Sequence, residues 1–153
     1  METRVTIDIK ASPEQVWQVM TDVERWHEWT ASITSVKMQS QPFDLGAKAR
    51  IKQPRLPEAV WTVTDLQPGQ SFTWKYRSPG VKSVATHEVA NIGSYGSGVT
   101  LTVRQEGIVS LLMMPFMAGL SRRYVAMEAE GLKRRCELEV AAGVMLGRHA
   151  LAS

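Results

Sequence analysis

The feature that most constrains the fold is a change of hydrophobic period along the chain. Between residues 33 and 107, apolar and polar residues mostly alternate, which is typical of half-buried β-strands. From about residue 111 the apolar residues instead recur at spacings of three and four residues, which indicates a long amphipathic helix ending near Gly143. Turn-forming stretches divide the alternating region into candidate strands at 33–39, 47–53, 58–67, 70–77, 82–92 and 98–107.

A further strand and two short helices precede this region. Residues 2–10 alternate strictly and predict the first strand. Ser12 is followed by a proline and then by Gln15, the spacing of a capping box at a helix N-terminus. A second short helical piece contains Trp26. Because the strands are joined by short turns, we expect an α+β fold in which a seven-stranded antiparallel sheet curls around the C-terminal helix.

Length and composition set the class of protein. A chain of 153 residues with 44% hydrophobic content fits one domain, which we place at 1–143 with a flexible tail at 144–153. The net charge of +3 does not predict nucleic-acid binding, and no apolar run is long enough to predict membrane insertion. The single cysteine, Cys136, excludes an intrachain disulfide and is interpreted as a packing residue. We expect a cytoplasmic monomer or homodimer.

Basic residues on the long helix are interpreted as a solvated face rather than an anion site. Arg122 and Arg123 precede the run Lys133, Arg134 and Arg135 by about three turns, among apolar residues at helical spacing.

Three polar or amphipathic side chains are expected on the apolar side of the central strands. Alternation places Tyr76, His87 and Gln105 among hydrophobic neighbours facing the helix. Of the other two residues, Gln105 is expected to lie nearer to Tyr76. They either satisfy one another's hydrogen bonds in a dry core or orient a ligand in an apolar pocket.

The hairpin turns also predict the neighbours of His87. This histidine should lie beside Phe72 or Trp74 on one strand and beside Leu101 or Val103 on the other. The long helix supplies the opposite wall, with a methionine-rich stripe that includes Met113 and Met127 and suits either a core or an adaptable pocket. The candidate ligand-binding residues are Trp74, Tyr76, His87, Val89, Leu101, Gln105, Met117, Leu120 and Tyr124.

The sequence patterns that would indicate catalysis are weaker than those that indicate ligand binding. His87 and Tyr76 are candidates for an acid–base pair, since a histidine titrates near neutral pH. The histidines at 27, 87 and 149 lie on different elements, so we expect no metal, and no motif predicts a cofactor. The glycine-rich stretch GSYGSG is interpreted as a hairpin turn, because no helix follows it.

Several local stretches resemble the START-like, or SRPBCC, superfamily of polyketide cyclase/dehydrase-type helix-grip proteins. They are ASPEQVWQVMTDVERWHEW, DLQPGQSFTW, HEVANIGSYGSGVTLT and MEAEGLKRRCE, and the resemblance covers residues 2–142. It implies the helix-grip fold. It further implies that Trp26 and Trp29 close one end of the core, with an edge of one touching the cavity, while His27 faces solvent.

The resemblance leaves the chemistry open, because its members include lipid carriers, receptors, quinone-binding proteins and aromatase/cyclases. We favour binding of a small hydrophobic or aromatic molecule between sheet and helix, by a carrier or sensor, over an enzyme. The first alternative is a lyase-type cyclase/dehydratase that uses His87 on an aromatic or polyketide-like substrate. The others are a lipid-quinone chaperone at a membrane surface, suggested by the mild basic charge and the apolar tail at 144–151, and an interaction module without a ligand.

Overall fold

The chain folds as one curved sheet wrapped around one long helix. The computed structural model describes residues 1–94 and 96–152, and among these the side chains as far as residue 144. In chain order the elements are β1 (Glu2–Ile9), α1 (Pro13–Thr21), a 3₁₀ helix (Val23–Glu28), β2 (Ser35–Met38), β3 (Lys48–Lys52), β4 (Ala59–Gln67), β5 (Ser71–Ser78), β6 (Val81–Asn91), β7 (Ser97–Glu106), α2 (Ile108–Leu112) and α3 (Met114–Ala152).

All seven strands belong to a single antiparallel sheet in the order β1-β7-β6-β5-β4-β3-β2. The strands β1 and β2 are neighbours in sequence but lie at opposite edges, so α1 and the 3₁₀ helix carry the chain from one edge to the other. The predicted fold class is confirmed, including the meander from β2 to β7 and the two short helices. Among the described residues, no helix is both long and apolar enough to cross a bilayer.

The first helix begins as the capping-box pattern predicts. The backbone N–H of Gln15 donates to Oγ of Ser12 at 3.2 Å, and the backbone N–H of Ser12 donates to Oε1 of Gln15 at 3.0 Å. Val16 and Met20 then point into the core and are almost fully buried. A local motif of four residues therefore sets where α1 starts and which face it buries.

The long helix differs from its prediction in length and at one end of its apolar stripe. Met117, Leu120 and Tyr124 face the cavity, but Met113, assigned to the same stripe, is 47% exposed. A break at Met113 separates α2 from α3, so the apolar repeat does not continue across it. The helix also continues past Gly143 to Ala152. The face that it buries carries smaller side chains, which allow close approach to the sheet: Leu120, Val125, Ala129, Leu132 and Cys136.

The predicted tail at 144–153 is therefore helical in its backbone as far as Ala152. The side chains of residues 145–153, His149 among them, lie outside the described part of the chain, as does Tyr95 in the glycine-rich turn. That this segment moves independently of the domain stays a prediction.

The two tryptophans of the 3₁₀ segment close one end of the core, as expected. Trp26 is 1% exposed and donates its Nε1–H to the carbonyl of Met20 at 3.0 Å, while Trp29 packs against α3. Their ring centroids lie 5.6 Å apart. His27, between them, is exposed. The contact with α3 needs a glycine, because a Cβ at Gly131 would lie 2.1 Å from the carbonyl oxygen of Trp29.

Candidate functional site

A cavity of about 290 Å³ lies between the concave face of the sheet and α3. Eight of the nine predicted ligand-binding residues line it: Trp74, Tyr76, His87, Leu101, Gln105, Met117, Leu120 and Tyr124. The ninth, Val89, is placed outside, in the hydrophobic core two positions beyond His87 on β6. At that point α1 covers β6, so the inward-facing side chains of the strand pack in the core instead of lining the cavity.

The sheet wall of the cavity follows from the strand register. Ser83 and Ala85 are small and lie beside the large rings of Tyr76 and Trp74, which leaves space in front of the middle strand. His87 lies between Phe72 and Leu101, one of the arrangements predicted for it. Three rows of residues across β5, β6 and β7 form this part of the sheet: Tyr76, Ser83 and Gln105; Trp74, Ala85 and Val103; Phe72, His87 and Leu101. All of them except Phe72, which is buried in the core, line the cavity.

Aromatic rings form a continuous wall on one side of the cavity. The ring of Trp74 lies 5.3 Å from that of Trp26 and 5.8 Å from that of Trp61. Trp61 in turn lies 5.8 Å from Tyr76. Neither Trp26 nor Trp61 was among the candidate ligand-binding residues, although an edge of Trp26 or Trp29 was expected to touch the cavity. A bulge after Val63 changes the register of β4 against β5 and obscured which face of that strand points inward.

The most polar contact inside the cavity joins the sheet to the helix. The Nε2 atom of His87 lies 2.8 Å from Oε1 of Glu128, and both side chains are largely buried. The imidazole stacks on Phe72 at 4.4 Å between centroids with planes 7° apart. Because an ionised carboxylate only accepts hydrogen bonds, the Nε2–H of His87 donates to it. Glu128 was not among the candidate residues, because its pairing with His87 depends on how the helix docks on the sheet.

Several polar atoms around this pair remain without a protein partner. Nδ1 of His87 and Oε1 of Gln105 are buried and make no hydrogen bond with any described residue. The second carboxylate oxygen of Glu128 and the hydroxyl of Tyr76 also have no hydrogen bond within the described part of the chain, but neither atom is fully buried. Buried polar groups in folded proteins are usually paired, so this concentration marks the site as unusual.

The far end of the cavity opens to solvent beside α2. Val109 lines the cavity and is also 41% exposed. Its backbone N–H donates to the carbonyl of Gly80 at 3.0 Å, which fixes α2 against the β5–β6 hairpin. Across the opening, the hydroxyl of Tyr124 donates to the carbonyl of Pro54 in the loop between β3 and β4. Leu56 in that loop completes the rim.

Metal ions in proteins require a group of ligand side chains. Within the part of the chain that the structure describes, no three His, Cys, Asp or Glu side chains group closely enough to hold a metal ion.

A curved antiparallel sheet that grips a long C-terminal helix over an apolar cavity defines the START-like, helix-grip class of proteins. Within this class, the chain belongs to the family described as "Polyketide cyclase / dehydrase and lipid transport", whose model matches residues 1–137. A comparison with curated protein sequences finds no significant match.

Solved structures share the fold at low sequence identity. The Zhui aromatase/cyclase from Streptomyces sp. R1128 is 15% identical, with a TM-score of 0.75 over 92% of this chain and 95% of that one. A START superfamily protein from Mycobacterium smegmatis is 14% identical, with a TM-score of 0.71 over 88% and 97%. A major latex-like protein from Panax ginseng is 12% identical, with a TM-score of 0.73 over 88% and 96%. At such identities the likeness shows the fold alone.

Proposed function

We propose that the protein binds a small apolar molecule with aromatic character in the cavity between sheet and α3. The observation that carries this proposal is the convergence of Tyr76, His87, Gln105 and Glu128 on a space whose other walls are aliphatic and aromatic. Binding sites for small molecules are usually built in this way, with a few polar groups setting orientation in an apolar pocket.

The size of the cavity limits which ligands can fit. Its volume of about 290 Å³ lies at the lower end of the range for ligand pockets, roughly 300–1,000 Å³. A molecule of a few fused rings fits this space, whereas the long tail of a lipid quinone would have to remain outside. The volume therefore supports a compact aromatic ligand over the quinone-chaperone alternative.

The polar groups of the cavity indicate which functional groups the ligand should have. Glu128 has an oxygen left to accept a hydrogen bond, and the phenol of Tyr76 can donate or accept one. A ligand hydroxyl would donate to the carboxylate, and a ligand carbonyl would accept from the phenol. We expect a phenol, a hydroxyketone or a similar oxygenated ring system.

A cyclase/dehydratase activity is the second candidate, and the buried pair of His87 and Glu128 supports it. In a dehydration, such a pair takes a proton from the carbon beside a ligand carbonyl and returns a proton to the hydroxyl on the next carbon. The hydroxyl leaves as water and a carbon–carbon double bond forms. General acid–base help of this kind is worth about 10²–10⁴-fold in rate.

The first experiment is to purify the protein from its native host and identify molecules that copurify with it by mass spectrometry. A stoichiometric aromatic compound whose removal lowers the melting temperature supports the proposal, because a ligand that binds only the folded state stabilises it. If nothing copurifies, 2-naphthol serves as a probe in isothermal titration calorimetry. Failure to bind either kind of molecule would contradict the proposal.

A pair of variants tests whether the cavity is where binding occurs. Ala85→Phe places a ring in the space beside Trp74, and we expect it to abolish binding of 2-naphthol. Val84→Phe adds the same ring to the neighbouring position, whose side chain points to the other face of the sheet, and should leave binding intact. Equal loss in both variants would argue against this cavity.

Glu128→Gln separates the two candidate functions. The amide retains a hydrogen-bond acceptor but does not take up a proton near neutral pH. A binding protein would keep most of its affinity for the copurified molecule, whereas an enzyme would lose turnover of a β-hydroxyketone substrate by the factor given above. Retention of full turnover would eliminate the catalytic role of the pair.

A further inference from the structure

The segment between β7 and the body of α3 exposes an unusual number of apolar side chains. Leu112 is 76% exposed, Ile108 70% and Leu111 65%. Met113, Met114 and Phe116 follow at 44–47%. We call this group, residues 108–116, the apolar cap. A contiguous exposed patch of this kind marks an interaction site in a natural protein.

The exposure is built into the backbone. Gly107 has a φ of +115°, and a Cβ there would lie 2.3 Å from the carbonyl oxygen of Gly80. Ser110, the buried residue of α2, donates its hydroxyl hydrogen bond to the carbonyl of Glu106 at 3.3 Å. Together with the bond between Val109 and Gly80, these contacts turn the polar residue of α2 inward and the leucines outward.

The cap adjoins the opening of the cavity. Val109, within the cap, lines the cavity and is also exposed, and Met117, one residue beyond the cap, lines it as well. An apolar molecule that leaves the cavity at this end therefore passes directly onto apolar protein surface.

Basic residues predominate on the elements that flank the cap. The sequence contains no acidic residue between Glu106 and Glu128, but it contains Arg122 and Arg123, both exposed. Arg123 lies on the same helix face as Phe116, two turns further along. The hairpin that holds α2 contributes exposed Arg77, and its Lys82 pairs with Glu106 at 3.6 Å.

The loop on the other side of the opening adds exposed Arg55. With Arg77, Arg122 and Arg123, it brings to four the exposed arginines on the elements that flank the opening. None of these forms an ion pair with a described residue.

We propose that the apolar cap docks on the surface of a lipid bilayer that carries anionic headgroups, so that the opening of the cavity faces the membrane. An apolar patch whose flanking elements carry exposed arginines matches the two layers of such a surface, which has acyl chains below and negative charge above. Exchange of the cavity ligand with the bilayer rests on the proposed function. Docking itself rests only on the cap and its arginines.

A second copy of the chain fits the cap less well than a membrane does. In a symmetric dimer both copies use the same patch, so the exposed arginines of both copies would be gathered at one interface. Like charges gathered in this way oppose association. The same arginines are attracted to anionic lipid.

The test is sedimentation of the full chain with vesicles of phosphatidylcholine alone and of phosphatidylcholine with 30% phosphatidylglycerol, at low salt. We expect binding to the anionic vesicles, weakened by high salt. Leu111→Ser with Leu112→Ser should reduce the partition coefficient at least tenfold. Arg122→Gln with Arg123→Gln should reduce it about fivefold per arginine on anionic vesicles only. The control is Leu138→Ser, a 63% exposed leucine far along α3, which should leave partitioning unchanged.

Three results would overturn the proposal. The first is that the wild type does not bind anionic vesicles. The second is that the Leu111/Leu112 variant binds them as well as the wild type does. The third is that light scattering shows the wild type to be a dimer and the Leu111/Leu112 variant to be a monomer. Titration with 2-naphthol in the absence of vesicles separates docking from the proposed function. The cap variants should keep their affinity for this probe. The Ala85→Phe variant should no longer bind the probe but should still bind the anionic vesicles.

Discussion

Glu128 on α3 accepts a hydrogen bond from His87 on β6 at 2.8 Å, and this bond ties the helix to the middle of the sheet beside the cavity. The pair is therefore both a structural link and the most polar feature of the proposed binding site. Its two partners lie 41 residues apart in sequence, so its formation reports correct docking of the helix.

Replacing Glu128 with leucine should destabilise the fold. The leucine fills a similar volume but leaves the buried Nε2 of His87 without a partner, which costs about 1–3 kcal/mol. Glu128→Gln should cost less because the side-chain oxygen still accepts the bond. Urea denaturation measures both, and Glu130→Leu, at an exposed position on the same helix, is the matched control. A Glu128→Leu variant as stable as the wild type would show that the bond contributes nothing.

Gly131→Ala should destabilise the protein by about 2–3 kcal/mol, because the added methyl group meets the backbone of Trp29, which has little freedom to move. The same substitution at Gly119 or Gly143 meets no atom within 4 Å. There it should stabilise α3 by up to about 1 kcal/mol, the difference in helix propensity. Thermal unfolding of the three variants tests the contrast. Similar effects at all three positions would mean that the helix is not held tightly against Trp29.

Glu28 should contribute a pH-dependent part of the stability. Hydrogen bonds from Arg25 and Arg135 lower the pKa of this carboxyl from 4.5 to about 2. Since the unfolded state binds the proton more readily, the contribution is complete above pH 4.5 and is lost as the pH falls toward 2. Melting temperatures of the wild type and Glu28→Gln should therefore differ at pH 6 and converge below pH 3. A constant difference across this range would contradict the expectation.

Cys136 should not react with thiol reagents in the folded protein. Its side chain is 1% exposed, and burial, with smaller effects from Glu139 and Glu137, raises the pKa of the thiol to about 12. Because the thiolate is the reactive form, 5,5′-dithiobis(2-nitrobenzoic acid) at pH 8 should label it only at the rate of unfolding. Full labelling in denaturant provides the reference. Rapid labelling without denaturant would show that α3 separates from the sheet.

The sheet was predictable because alternation assigns faces and short hairpins assign register. These two rules limited the neighbours of His87 to Phe72 or Trp74 on one strand and Leu101 or Val103 on the other, and the observed neighbours are Phe72 and Leu101. They did not indicate where the cavity ends along β6, since that limit depends on how α1 covers the strand, and the candidate Val89 lies beyond it.

The helix was less predictable, because apolar side chains occur on more than one of its faces. Its methionine-rich stripe identified only part of the inner face, and small residues next to that stripe, such as Ala129 and Cys136, pack against the rest of the core. Glu128 lies next to that face, and its pairing with His87 depends on the docked position of the helix. No pattern within α3 alone contains that information.

The aromatic wall has an optical consequence. Trp26, Trp61 and Trp74 are three of the five tryptophans of the chain, and the ring of Trp74 lies within 6 Å of the other two. Indole transitions at such separations couple, and the sign and size of the resulting near-ultraviolet circular dichroism depend on the angles between the rings. A ligand that moves any of these rings changes that signal. The chain thus carries an intrinsic chromophore at its proposed binding site, and occupancy can be followed without a label.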